Sequence, residues 1–355
     1  MRVALNFRKY IPTAILLVSA CVTPYDAKIR QSAPRIVVEG LITDQPGPHR
    51  VRITRSAAFT NNDKGSSEGI SGAMVYVTDN AGNRIDFTES GEGNYSTNAH
   101  VQGVAGRTYK LSIRLTDGRE YASEPDLLRP VPPIDSIYSE YDAAAKQFNV
   151  YVDITDSPTL GEGYLWKWRH YEPIYICEFS KKIEIPGYGT YKTPCRDCCT
   201  RCWDVSQCNT CVNIAGDAYV NGNQIKRQFI ASALYDSRLK YYLMVEQRSL
   251  SPGAFRFWNS LKAQSGSSGG PFDAAPAPVA GNVGNVADKN EKVLGFFGAS
   301  GVLFQQHWVN RSTTPEIPNI PIPPDCPFVT IPPPCVPCVE AFGSRTQITP
   351  LNWED

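Results

Sequence analysis

The chain has 355 residues, and its 35 lysines and arginines balance its 35 aspartates and glutamates. This balance excludes the strongly basic surface that nucleic-acid binding requires, and no long charge run remains to draw the body onto an anionic surface. The length suffices for two domains, each with a proper core.

Arg2, Arg8 and Lys9 precede the apolar run Ile11 to Ala20, which ends at Val18-Ser19-Ala20-Cys21. A basic stretch, an apolar stretch and small residues before a cut make up an export signal. The run holds about half of the roughly 20 apolar residues that a transmembrane helix needs, and it contains Pro12. Residues 1–20 are therefore expected to be removed as a signal peptide. Because the small residues stop directly at a cysteine, the site resembles a bacterial lipobox, in which the thiol is diacylated and becomes the new N-terminus. Buried methylenes contribute about 0.8 kcal/mol each, so lipid on Cys21 would hold the body at a membrane that no protein segment crosses. An ordinary signal peptide, with Cys21 one more disulfide cysteine, is the alternative.

After a tether at 21–34, residues 35–129 alternate short β-like runs with turns. The runs are Ile36 to Ile42, His49 to Thr54, Ala73 to Thr78, Arg84 to Thr88, Gly93 to Ser96, Thr108 to Leu115 and Glu120 to Ala122. Their spacing predicts a β-sandwich of immunoglobulin-like size, without the immunoglobulin disulfide because no cysteine lies between Cys21 and Cys177. Pro130-Val131-Pro132-Pro133 reads as a stiff link.

A second β-rich domain is expected over 130–355, opening with strands at Ser136 to Glu140 and Gln147 to Thr155. In Tyr164 to Tyr171, alternation places Tyr164, Trp166, Trp168 and His170 on one face. Such a stripe is either the inward face of a sheet or a stacking platform for a flat ligand such as a sugar ring, the core reading being favoured. Strands follow at Gln228 to Ala233 and Lys240 to Gln247. Ser251 as N-cap, Pro252 at the first helical position, and Phe255, Trp258 and Leu261 at helical spacing predict one helix up to Gln264. The glycine-rich Ser265 to Pro271 follows a helix and lacks the lysine of a P-loop, so it reads as a loop. A strand pair, Val293 to Phe297 and Val302 to Trp308, precedes a proline-rich, cysteine-containing tail at 315–340.

Ten cysteines remain beyond Cys21: Cys177, then Cys195, Cys198, Cys199, Cys202, Cys208 and Cys211, then Cys326, Cys335 and Cys338. Behind an export signal they are expected to form disulfides, which makes 177–211 a disulfide-rich insertion. Seven in one group and three in the other require at least one bridge between the groups if all ten pair. Two CxxC hooks also suit a tetrahedral zinc site, which is the minor alternative. No cofactor is otherwise expected.

Catalytic constellations are thin. None of His49, His100, His170 and His307 belongs to an HExxH motif, and no GxSxG elbow occurs. The chain reads as a non-enzyme. A hydrolase acting on surface polymers is the weakest alternative, since no nucleophile or positioned acid pair is visible.

The chain resembles the family known as domain of unknown function 4249. The likeness rests on Val38-Glu39-Gly40-Leu41-Ile42-Thr43, on Gly72-Ala73-Met74-Val75-Tyr76-Val77, and on the block that opens with Ser251-Pro252 and Phe257-Trp258. That block continues through Phe272-Asp273, Pro276, Pro278 and Gly281-Asn282-Val283 to Val293-Leu294-Gly295-Phe296-Phe297 and Ala299-Ser300. The resemblance implies an outer-membrane lipoprotein of Gram-negative bacteria, often encoded beside a TonB-dependent receptor, and a role as accessory or ligand-binding partner of that barrel. It brings no catalytic residue and leaves open which face of the outer membrane is occupied. A disulfide-stapled structural or adhesive surface protein is the alternative function.

Overall fold

A computed structural model describes residues 33–56, 67–156, 163–176, 180–185, 189–194, 200–208, 211–216, 223–236, 240–265, 278–316, 345–346, 348–350 and 353. The leader, Cys21 and the tail at 317–344 lie outside these.

The described residues are mainly β, with one helix among them. The first lobe opens with β1 (Ile36–Thr43), β2 (Arg50–Arg55), β3 (Glu68–Gly69), β4 (Met74–Asp79), β5 (Arg84–Gly91) and β6 (Asn94–Ser96). It continues with β7 (Thr108–Arg114), β8 (Glu120–Ser123) and β9 (Asp126–Leu127). Next come β10 (Ile134–Asp142), β11 (Gln147–Thr155), β12 (Gly163–Ile176) and a hairpin of β13 (Ser180–Ile185) and β14 (Gly189–Pro194). β15 (Thr200–Gln207), β16 (Asn213–Gly216), β17 (Gln224–Leu234) and β18 (Tyr241–Leu250) lead to α1 (Pro252–Ser265). The chain then forms β19 (Val283–Asn285), β20 (Leu294–Ser300), β21 (Val302–Val309) and β22 (Arg345–Thr346).

Period-two burial explains the strands, since side chains alternate between faces. Val75 and Val77 of β4 and Tyr109, Leu111 and Ile113 of β7 point into one core, which Val38, Val51, Ile53 and Phe297 share from the far side. The path β19-β8-β7-β4-β5-β6-β2-β1-β20 is continuous because β5 pairs with β4 through Phe87 and with β6 from Thr88 onward. Strands from both ends of the path meet in a single core, so the sheet is folded over into two layers.

One boundary differs from expectation. The first lobe does not close within 35–129, because β19 pairs with β8, and β20 runs parallel to β1 from Val37 opposite Leu294 to Thr43 opposite Ser300. Without β20, β1 would present an unpaired edge. Phe297 and Ala299 also complete the core. Parallel neighbours require a long crossover, and here it runs from β2 to β19 and takes in most of the second lobe.

The second lobe places β10-β11-β17 against β21-β18-β12-β15-β22, with β16 beside the start of β12. Phe148, Val150, Val152 and Ile154 of β11 face Tyr164 and Trp166 of β12 and Leu243 and Val245 of β18. The predicted helix is present as α1. The Ser251 hydroxyl accepts the Ala254 N–H at 3.1 Å, capping it, and Phe255 and Trp258 pack on Leu165, Ile214 and Leu250.

A turn in the first lobe carries a pH signature. The Asp79 carboxylate accepts the N–H groups of Ala81 and Asn83, the Asn83 side-chain amide and the Arg107 guanidinium. Burial alone would raise its pKa, but these donors outweigh burial and hold it at about 2 rather than 3.8. A folded-state value below the unfolded one stabilises above the unfolded pKa and is lost as pH falls through the folded one. Urea midpoints measured down the acid range should therefore drop between about pH 4 and pH 2. Asp79→Asn is expected to be less stable at pH 7 and to show a shallower drop; an unchanged acid limb would remove this carboxylate from the pH response.

Candidate functional site

The stiff link between the lobes is held by two buried polar residues of β18. Gln247 donates to the Pro132 carbonyl at 2.8 Å and accepts the Trp166 indole N–H at 2.8 Å. Ser249 donates to the Arg129 carbonyl at 2.7 Å and accepts the Gly301 N–H at 2.9 Å. Gly301 also donates to Arg129. The two points where the chain passes from the first lobe to the second, after Arg129 and at Gly301, are thus bonded to each other.

Beside this junction lies a cleft of about 620 Å³, lined by the Glu124–Leu127 segment, the start of α1, the Ala280–Asn282 segment and Phe296. Asp126 is buried at its base, where Oδ2 accepts the Ala299 N–H at 2.8 Å and the carboxylate takes a hydrogen bond from Ser251. Burial pushes this carboxyl up, against those two donors and nearby Arg129. Ser251 therefore links the cap of α1 to the first lobe. Asn282 is fixed by a reciprocal pair with Phe297, donating to its carbonyl at 2.7 Å and accepting its N–H at 2.9 Å. Phe257 stacks on Phe296 with ring centroids 5.1 Å apart. Arg256 lines the same space, and no carboxylate among the described residues pairs with its guanidinium.

The cleft therefore offers an apolar wall, a guanidinium and a rigid floor. Among the described residues no histidine lines it. His49 is buried against the Val101 carbonyl, and His170 is buried, bonded to the Tyr242 carbonyl and stacked on Tyr241. Burial lowers the pKa of His49 and of His307. This arrangement can bind and orient; none of these imidazoles reaches it as a base.

The aromatic stripe is core. Tyr164 and Trp166 are fully buried between the sheets, Tyr164 donating to Asp156 at 2.6 Å, and Trp168 packs partly buried against the same core. A sugar ring has no access to Tyr164 or Trp166, which corrects the platform reading of those two residues. Cys208 and Cys211 are joined by a disulfide, and buried Cys202 is also disulfide-bonded. Oxidised sulfurs are not thiolate ligands, so these three do not offer the zinc set considered from spacing. Cys21, Cys177, Cys195, Cys198, Cys199, Cys326, Cys335 and Cys338 lie outside the described residues.

Sequence reading passed over Asp126 and Arg256. The available signal was indirect: Ser251-Pro252, Phe257 and Gly281-Asn282, on which the family likeness rests, converge on this one cleft. No curated protein matches the chain. The family model described as "Domain of unknown function (DUF4249)" matches residues 22–306, which include the first lobe, most of the second and the whole cleft, and the chain belongs to that family.

Proposed function

We propose that the chain is a lipid-anchored accessory protein of the outer membrane, which binds a ligand without transforming it and works beside a TonB-dependent receptor barrel. The junctional cleft carries this reading. Its volume of about 620 Å³ falls within the range of small-molecule sites, and its walls come from both lobes, a usual place for such sites. The Asp126–Ser251–Ala299 contacts hold it open in advance, so little ordering cost falls on binding. The leader pattern ending at Cys21 supports the anchor, and membership of the family supports the association with a barrel.

Extraction of the tagged chain from native membranes in mild detergent is expected to bring a barrel protein with it. Mass analysis of the N-terminal peptide from the same preparation is expected to find acyl chains on Cys21. A reproducibly solitary protein would overturn the partnership, and an unacylated Cys21 would overturn the anchor.

The disulfide bonding of Cys202, Cys208 and Cys211 favours a second reading, a stapled structural or adhesive surface protein. Adhesion that persists on a receptor-free surface and fails after reduction would select it.

A further inference from the structure

The larger sheet of the second lobe has an outer face whose two ends are covered and whose middle is open. At one end α1 packs over Leu165 and Leu250. At the other, Trp203, Tyr242, Trp308 and Trp353 form an aromatic cluster with centroids 4.3 to 5.8 Å apart. Between them lies a trough of about 450 Å³.

Register fixes what floors it. Lys167 lies opposite Glu246, which lies opposite Phe304, and Arg169 lies opposite Met244. Alternation sends these side chains outward, away from Trp166 and Val245. Arg248 follows two residues after Glu246 on the same face. The trough therefore contains three cations and one carboxylate, and that carboxylate is engaged by Arg248, whose Nε lies 2.5 Å from Glu246 Oε1. Although Lys167 faces Glu246 in register, among the described residues no carboxylate pairs with Lys167 or with Arg169. The Lys167 ammonium instead lies 5.5 Å from the Trp258 ring centroid. Burial, and then Arg248, weaken its hold on the proton, as expected of a cation short of counter-charge.

The disulfide supplies a wall. β15 leaves the edge of β12 at Gln207, opposite Arg169, and β16 rejoins it at Asn213, opposite Trp166. Cys208 and Cys211, which lie between the two strands in sequence, are joined by a disulfide, and the Cys208 N–H donates to the Trp168 carbonyl at 3.1 Å. Disulfide-bonded Cys208 thus lines the trough together with Lys167.

We infer that this trough binds a doubly charged oxyanion of the phosphate-monoester class, carried on an apolar body. Two positive charges in excess match a dianion. A guanidinium fork and an ammonium offer the donors that phosphate oxygens accept. Met244 and half-exposed Phe304 give the apolar part a surface. The site is separate from the junctional cleft, since α1 turns Arg256 and Phe257 toward one and Trp258 toward the other.

The test is calorimetric titration of the full-length chain with phenyl phosphate and, separately, with soluble dioctanoyl phosphatidic acid. At least one is expected to saturate a single site; the tighter of the two identifies a free phosphomonoester or a lipid headgroup as the source. Lys167→Met keeps the length of the side chain and relieves a half-buried charge, so it should fold, and it is expected to weaken binding about tenfold or more. Glu246→Gln frees Arg248 and is expected to tighten binding, a gain that mere structural damage would not produce. Arg256→Met, in the other cleft, is expected to leave the titration unchanged. Absence of saturation with both ligands, or an affinity indifferent to Lys167→Met and Glu246→Gln, overturns the assignment and leaves the function proposed for the junctional cleft untouched.

Discussion

Trp166→Ala is expected to cost about 3–5 kcal/mol of stability, as for other large aromatic truncations in cores. The ring is fully buried, 6.0 Å from that of Tyr164, in the core that also holds Leu243 and Val245. Its removal opens a cavity that two packed sheets cannot collapse to fill. The indole N–H also belongs to a chain of bonds running through Gln247 to the Pro132 carbonyl. Truncation leaves Gln247 Oε1 without its donor, and Gln247 is itself fully buried, so the cost should sit at the upper end of the range. Trp166→Phe separates the two contributions. It retains most of the apolar contact and loses the donor, with an expected cost of about 1–3 kcal/mol. Urea denaturation followed by fluorescence measures both, with unchanged slopes marking a true stability difference. A loss below about 1 kcal/mol for Trp166→Ala would contradict its place in the core.

What could be read in advance follows from the range of the signals. α1 was legible because its cap, Pro252 and its apolar spacing all lie within one stretch, and the structure begins it at Pro252 and caps it with Ser251. The strands read in advance, β1, β2, β4 to β8, β10 to β12, β17, β18, β20 and β21, were legible because alternation is local, whereas β13 to β16, in and beside the cysteine-rich stretch, were not read. The aromatic stripe was legible as a stripe, but which side it faced depended on β11 and β17, which no local pattern reports. The return of β20 to β1 was hidden for a stronger reason. Val38 and Gly295 pair although β2 to β19 lie between them in the chain, and a parallel pair leaves no turn motif to announce it. The two clefts share this difficulty. Arg256 and Asp126, or Lys167 and Glu246, are unremarkable charges until topology and register bring them together.

Gly295→Ala is expected to destabilise the protein by roughly 2–4 kcal/mol, because a special backbone angle and a close approach coincide there. Its φ is +89°, a conformation that side-chain-bearing residues rarely adopt. A Cβ built at that position would also lie 2.1 Å from the Val38 carbonyl oxygen, a backbone atom that cannot swing aside without disturbing β1. Relief requires β20 to draw back from β1, which would expose the β1 edge and withdraw neighbouring Phe297 from the first-lobe core. Phe296, next to Gly295 in the chain, forms a wall of the junctional cleft, so the ligand binding proposed for that cleft should weaken along with stability. Hydrogen exchange should show the damage as faster exchange along β1 and β20, with the β11 and β12 amides of the second lobe protected as before. Gly298→Ala on the same strand is the control. Its Cβ would meet Leu41, Phe296 and Asp126 side chains at 3.5 to 3.7 Å, ordinary contact distances, and its expected cost is below about 1 kcal/mol. Equal losses at the two positions would show that the parallel pairing tolerates a side chain at Gly295, and that the φ at this residue is not what seats β20 against β1.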